Sequence, residues 1–175
     1  MLFKKTLIVI GVAVALSQCG FKPMLSSENG EILKAFQQTD IPVIANREGQ
    51  IMRNELKKMF YVEGPSDVKR YELRVTTSSS DRNMSYLSDQ TAGRKNVTVT
   101  AKYTLYDVEN QKILTSGSLS RQGYYTVSTA SSFGTIISAE RVKMDAVLLV
   151  ARDLRVDIAN YFMKHPESLP EAPVT

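Results

Sequence analysis

From Lys95 to Tyr106 apolar and polar residues alternate one for one. Val97, Val99, Ala101, Tyr103 and Leu105 fall on one side; Thr98, Thr100, Lys102, Thr104 and Tyr106 fall on the other. Successive side chains of a strand point to opposite faces, so this pattern predicts a strand with one face in a core and the other in water. Asp107–Gln111 (DVENQ) has turn composition, and Lys112 to Val127 returns as the second arm of a hairpin. That arm is rich in Ser, Thr and Gly, and Ile113, Thr115, Gly117 and Leu119 are its expected inward set. Lys69–Thr77 alternates in the same way, with Tyr71, Leu73, Val75 and Thr77 on one side. Between the two alternating runs, Ser78–Gly93 (SSSDRNMSYLSDQTAG) reads as a long polar loop holding Met84, Tyr86 and Leu87. A loop of that length either carries function or is a mobile hairpin tip, and the pattern alone leaves both open.

Two segments follow the helical period instead. In Arg47–Phe60, Met52, Leu56, Met59 and Phe60 share a face, Asn46 stands at the N-cap position and Gly64-Pro65 ends the run. Ser132 to Lys164 is predicted as one long helix, with Met144, Val147, Ala151, Leu154, Ile158 and Tyr161 as its apolar stripe and Pro166 as its stop. Ahead of these, Glu31–Asn46 offers ILKAF and IPVIA around a polar QQTD. This is read as a strand ending at Ile44, with Pro42 suiting an edge or bulge. The order strand, helix, three strands, helix predicts an α+β two-layer sandwich, a four-stranded mainly antiparallel sheet with two helices on one face.

The N-terminus has a different character. Lys4 and Lys5 precede an apolar run from Leu7 to Leu16, and Cys19, the only cysteine, follows at once. The run is too short to span a bilayer as a helix, which takes ~20 residues, and the layout is that of a secretory signal peptide. A cysteine at its end reads as a lipobox, with Cys19 acylated as the first mature residue; Gln18 departs from the small residue usual before it. An ordinary secretion signal with an incidental cysteine and a short uncleaved anchor are the alternatives. The expected organisation is a leader at 1–18, a lipidated tether at 19–30, a folded domain at 31–165 and a disordered tail at 166–175.

Composition narrows the functional classes. The 175 residues less the 18 of the leader leave 157, enough for one self-supporting core. Lipidation would use the only thiol, so no disulfide is expected. The formal charge of +4 falls to about +2 when Lys4 and Lys5 leave, too mild for a nucleic-acid partner. One histidine and one cysteine exclude His/Cys zinc clusters and a Cys–His nucleophile pair. His165 is expected to cap a helix C-terminus. Ser66–Lys69 fits S-x-x-K without its companion motifs, and the Asn96-Val97-Thr98 sequon falls in a strand. Neither a phosphate-binding glycine loop nor a dinucleotide fingerprint is present. No catalytic residue, metal site or cofactor is expected.

Several segments taken together resemble one family. Cys19-Gly20-Phe21 after the leader, Arg47–Leu56 (REGQIMRNEL), Val97–Asp107 (VTVTAKYTLYD) and Arg121–Val127 (RQGYYTV) before a long amphipathic helix are similar in kind and order to the LPS-assembly lipoprotein family LptE, especially its alphaproteobacterial branch. The resemblance covers nearly the whole mature chain. It implies a non-catalytic outer-membrane lipoprotein that plugs the lumen of the LptD β-barrel translocon, held by its lipid anchor. Gly20 after the cysteine is compatible with sorting to the outer membrane. It also implies contact with lipopolysaccharide, whose lipid A phosphates suit Arg and Lys. Arg82, Arg94 and Lys95, flanking Met84, Tyr86 and Leu87, are the candidate contacts; solvated loop-end charges are the plainer account of the same residues. A free-standing envelope lipoprotein that binds lipid or serves another secretion machine is the alternative function.

Overall fold

The computed structural model describes residues 30–86, 92–128 and 131–170. Leader, Cys19 and most of the tether lie outside the described residues, as does Leu87. The elements are α1 (Gly30–Gln37), β1 (Thr39–Asp40), α2 (Asn46–Phe60), β2 (Tyr71–Tyr86), β3 (Ala92–Asp107), β4 (Lys112–Ser128), α3 (Ser132–Lys164) and a closing 3-10 turn at Pro166–Ser168. One sheet runs β1-β2-β3-β4. β2, β3 and β4 are antiparallel neighbours, while β1 pairs in parallel with the start of β2 through Thr39–Tyr71 and Asp40–Glu72.

The alternation read in β3 is the alternation observed. Val97, Val99, Ala101, Tyr103 and Leu105 are buried, and their partners on the flanking strands, such as Leu73 opposite Leu105 and Leu119 opposite Ala101, share that face. Helices cover it. Met52, Leu56 and Phe60 of α2 are buried, as are Val147, Val150, Ala151, Leu154, Ile158 and Phe162 of α3. Tyr71 meets Phe162 edge-on with ring centroids 5.3 Å apart. Fully burying an aliphatic side chain of this kind stabilises a fold by roughly 1.5–3 kcal/mol. Met144 departs from the predicted stripe: it is exposed, lining an open groove between α2 and α3.

Four expectations are corrected. The first segment is the helix α1, not a strand, so the described residues form three α-helices; Ile32, Ala35 and Phe36 at helical spacing are buried, and Phe36 stacks on Phe60 at 4.3 Å. Only Thr39–Asp40 joins the sheet, and Pro42 follows outside it. Asn46 is no N-cap: the cap falls on Ala45, and Asn46 takes φ 68, a left-handed conformation Asn tolerates. Ser78–Tyr86 is strand rather than loop, paired with β3 through to Gly93, with a bulge between Asn83 and Ser85. Ile113 lies on the outer face, 59% exposed. It pairs with Tyr106, whereas Thr115 pairs with Leu105, so the bulge between them moves Ile113 across the sheet.

The start of the tail is also ordered. Tyr71 Oη donates to Ser168 O at 2.5 Å and Arg70 Nη1 to Leu169 O at 3.3 Å, and Pro170 is buried. Residues 171–175 lie outside the described residues.

The β3–β4 turn is held by Asp107, buried and accepting from Asn110 N and Asn110 Nδ2, both at 2.9 Å. Burial alone pushes its carboxyl up, but those two donors, with Arg70 at 3.8 Å, hold it below the usual carboxylate range. A depressed folded pKa contributes stability that is present above the unfolded value and lost as pH falls through the folded one. Asp107→Asn is therefore expected to flatten the acid limb of the stability curve below about pH 4, read by denaturant unfolding at stepped pH. An acid limb as steep as in the parent chain would contradict this role.

Candidate interaction surfaces

The sheet face away from the helices is uncovered by any described element. β2 places Glu72, Arg74, Thr76, Ser78, Ser80 and Arg82 there, β3 places Arg94, Asn96, Thr98, Thr100, Lys102, Thr104 and Tyr106, and β4 contributes Ser116, Ser118, Ser120, Gln122, Tyr124 and Thr126. The face is largely hydroxyl and amide. Thr98 Oγ1 donates to Asn96 Oδ1 at 3.1 Å and Asn96 Nδ2 to Gly123 O at 3.3 Å. Arg74 Nε reaches Glu72 at 2.5 Å and its guanidinium lies 5.5 Å from the Tyr106 ring centre. A flat array of small donors and acceptors can meet another polar wall directly or through water.

The three candidate cations at the far end of the β2–β3 hairpin do not converge. Arg82 pairs with Asn96, and Arg94 lies two residues along the same face with its guanidinium 5.2 Å from the Tyr124 ring centre. Lys95, one residue on from Arg94, belongs to the opposite face, opposite Asn83 and Tyr125. Met84 is exposed beside them.

The helix side has its own polar joints, none evident from sequence spacing. Tyr103 reaches α3 by donating to Asp157, and it can do so because Gly117 lies beneath its ring: a Cβ there would stand 2.8 Å from it. The Tyr103 hydroxyl is pushed up by burial and then by the Asp157 carboxylate. Arg121 grips Asp153 with Nε at 2.6 Å and Nη2 at 2.9 Å. These joints border a groove between β4 and α3, lined by Leu119, Ser120, Val156 and Asn160 besides the ion pair and Asp157. A second groove of about 210 Å3 lies between α2 and α3 against Ile51, Ile137, Met144 and Val147, rimmed by Arg47, Glu140 and Lys143. Past it the first turns of α3 leave Phe133, Ile136 and Ile137 exposed.

The remaining sequence candidates have structural roles. His165 stacks on Tyr161 at 4.7 Å and its Nδ1 lies 3.0 Å from Glu167. Ser66 Oγ accepts from Val68 N at 3.2 Å, while Lys69 Nζ donates to Gln37 O at 3.1 Å. Among the described residues no cluster of three His, Cys, Asp or Glu is placed to hold a metal, and no helix is long and apolar enough to cross a membrane.

The tightness of the α3–β4 joint is open to test. A Cβ at Gly123 would stand 2.2 Å from Val142 Cγ1, so Gly123→Ala is expected to cost about 1–3 kcal/mol. Val142→Ala in the same chain should recover most of that loss, read as a coupling energy in denaturant unfolding. Losses that simply add would contradict the close approach.

Comparison with known proteins follows this geometry. A family model described as LptE, lipopolysaccharide-assembly, matches residues 36–163, well over half the chain. Among solved structures the chain is similar to a Caulobacter crescentus CB15 protein described as a lipoprotein, at 15% identity and TM-score 0.60, covering 76% of this chain and 96% of that one. It is also similar to the rare lipoprotein B of Shewanella oneidensis, at 8% identity and TM-score 0.58, covering 73% of this chain and 98% of that one. At these identities the two structures establish a shared fold. No curated protein matches the sequence.

Proposed function

The chain belongs to the lipopolysaccharide-assembly family LptE, a non-enzymatic family of envelope lipoproteins, and from that membership we propose that it occupies the lumen of a large LptD-type outer-membrane β-barrel, as a plug and support for lipopolysaccharide insertion. The observation that carries this reading is the uncovered sheet face. Its three long strands present hydroxyls and amides with few apolar groups, and the interior of a large barrel is likewise polar. A surface meant to pack against lipid would be apolar, whereas this face is hydroxyl and amide with charges at Glu72, Arg74, Arg82, Arg94 and Lys102.

Affinity purification of the chain from detergent-solubilised envelope tests the reading. Recovery of a large barrel in near-equal amount is expected. Purification as a monomer without any barrel would instead support a free-standing envelope lipoprotein.

Membrane attachment belongs to the same proposal. Cys19 carries the lipid anchor; each buried acyl CH₂ contributes about 0.8 kcal/mol, so several chains hold where a single one would not. Cys19→Ser is expected to leave a soluble or unprocessed chain, seen by fractionation and gel mobility, and identical behaviour of the two chains would rule the anchor out.

Lipopolysaccharide contact is assigned to Arg82 and Arg94. The two guanidiniums share the outward face at the hairpin's end, beside exposed Met84, which suits a phosphate next to acyl chains. Replacing both by Ala is expected to weaken binding of purified lipopolysaccharide at low ionic strength and to leave barrel recovery unchanged. Lys95→Ala, on the other face, should have little effect. Equal loss from Lys95→Ala, or no loss from the double substitution, would overturn the assignment.

A further inference from the structure

Two features that the barrel reading does not use lie side by side. The first is the outer edge of β4: among the described residues this long strand pairs with β3 alone. Such an edge presents backbone N–H and C=O groups ready to accept another strand, unless prolines or repeated lysines blunt it. From Ile113 to Ser128 there is no proline or lysine, and Arg121 is the one charge. The second feature is on α3. Leu149, Val156 and Met163 recur every seven residues and are 45, 42 and 44% exposed, which aligns them along one side of the helix. Asp153 and Asn160 fall on the same side, and Val156 lines the groove that opens onto Leu119, Ser120 and Arg121 of β4. The stripe therefore overhangs the open edge.

We infer that a second copy of this chain docks here, β4 against β4 in antiparallel register about Leu119 and α3 against α3 about Val156, giving one continuous eight-stranded sheet. A two-fold interface places the same patch on both sides, so it must be complementary to itself. In the helix layer, rotation about Val156 sets Leu149 against Met163 of the second copy and Arg152 against its Asn160. In the sheet layer, rotation about Leu119 sets Ser118 against Ser120, Ser116 against Gln122 and Gly117 against Arg121 of the second copy. No like charges face each other. Arg121 stays clamped to Asp153 of its own chain and meets a glycine, which has no side chain to displace it. Val156, the middle residue of the heptad stripe, and Leu119 of the strand line the same groove. A single axis thus serves both layers. This inference stands apart from the lipopolysaccharide reading.

The test uses the full chain purified in detergent. Sedimentation is expected to show a dimer at tens of micromolar. Val156→Lys should weaken the dimer roughly tenfold or more while leaving the circular dichroism melt unchanged. Under mild oxidant Val156→Cys should form a disulfide-linked dimer. Val43→Cys, at a position 80% exposed elsewhere on the chain, and the parent chain should not. A parent chain that stays monomeric overturns the inference, as does a dimer that survives Val156→Lys or a Val156→Cys chain that cross-links no faster than the Val43→Cys control. Loss of barrel recovery on Val156→Lys from a monomeric parent would assign the edge to the barrel, and would equally overturn it.

Discussion

The rest of this structure depends on β3 keeping its two faces apart over its whole length. β3 is hydrogen-bonded on both sides from Gly93 to Asp107, to β2 and to β4. A slip of one residue would turn Thr98, Thr100, Lys102 and Thr104 into the core and Val97, Val99 and Leu105 into water. Burial of the apolar set therefore fixes which side the helices occupy. It also fixes which side stays polar and open, and so which side chains can meet a partner.

The inner face then has to admit a long helix along β4, and β4 makes room by lacking side chains at two inward positions. Gly117 lets the Tyr103 ring lie over it and reach Asp157; Gly123 lets Val142 approach. Between them Arg121 supplies the ion pair with Asp153. That arrangement explains why so small-sided a strand supports the longest helix of the chain: close backbone approach replaces side-chain packing. It also leaves the edge of β4 slim and the flank of α3 uncovered, the two conditions the proposed self-association uses.

Legibility in the sequence followed coverage. β3, the first half of β2, α2 and α3 were readable because each has one covered face and one wet one. The second half of β2 was not. Ser79, Asp81 and Asn83 point to the helix side yet are exposed, so nothing in their composition marks a strand; pairing with β3 alone keeps them extended. α1 escaped because its eight residues offer a single apolar turn, as compatible with a short strand as with a helix until Phe36 finds Phe60. Ile113 was misplaced by a bulge, which composition does not announce. Of the candidate cations, position in the sequence located Arg82, Arg94 and Lys95 at one end of the sheet, but strand alternation separates Lys95 from the other two. The joints Tyr103–Asp157 and Arg121–Asp153 link residues far apart in the chain and had no local signal at all.

A polar sheet face that no described element covers, on a chain of the lipopolysaccharide-assembly family, is the core of the functional account. Its distinctive claim is about sidedness: the partner wall meets the outer face of β3 and its neighbours. Site-specific photo-crosslinking in intact envelope tests this most directly, with the probe placed at Thr100 or Ser118 on the outer face and at Arg53 or Val62 on the helix side. The account predicts adducts with a large outer-membrane barrel from Thr100 and Ser118. Adducts from the helix-side positions alone, or no barrel adduct from the sheet face, would contradict it.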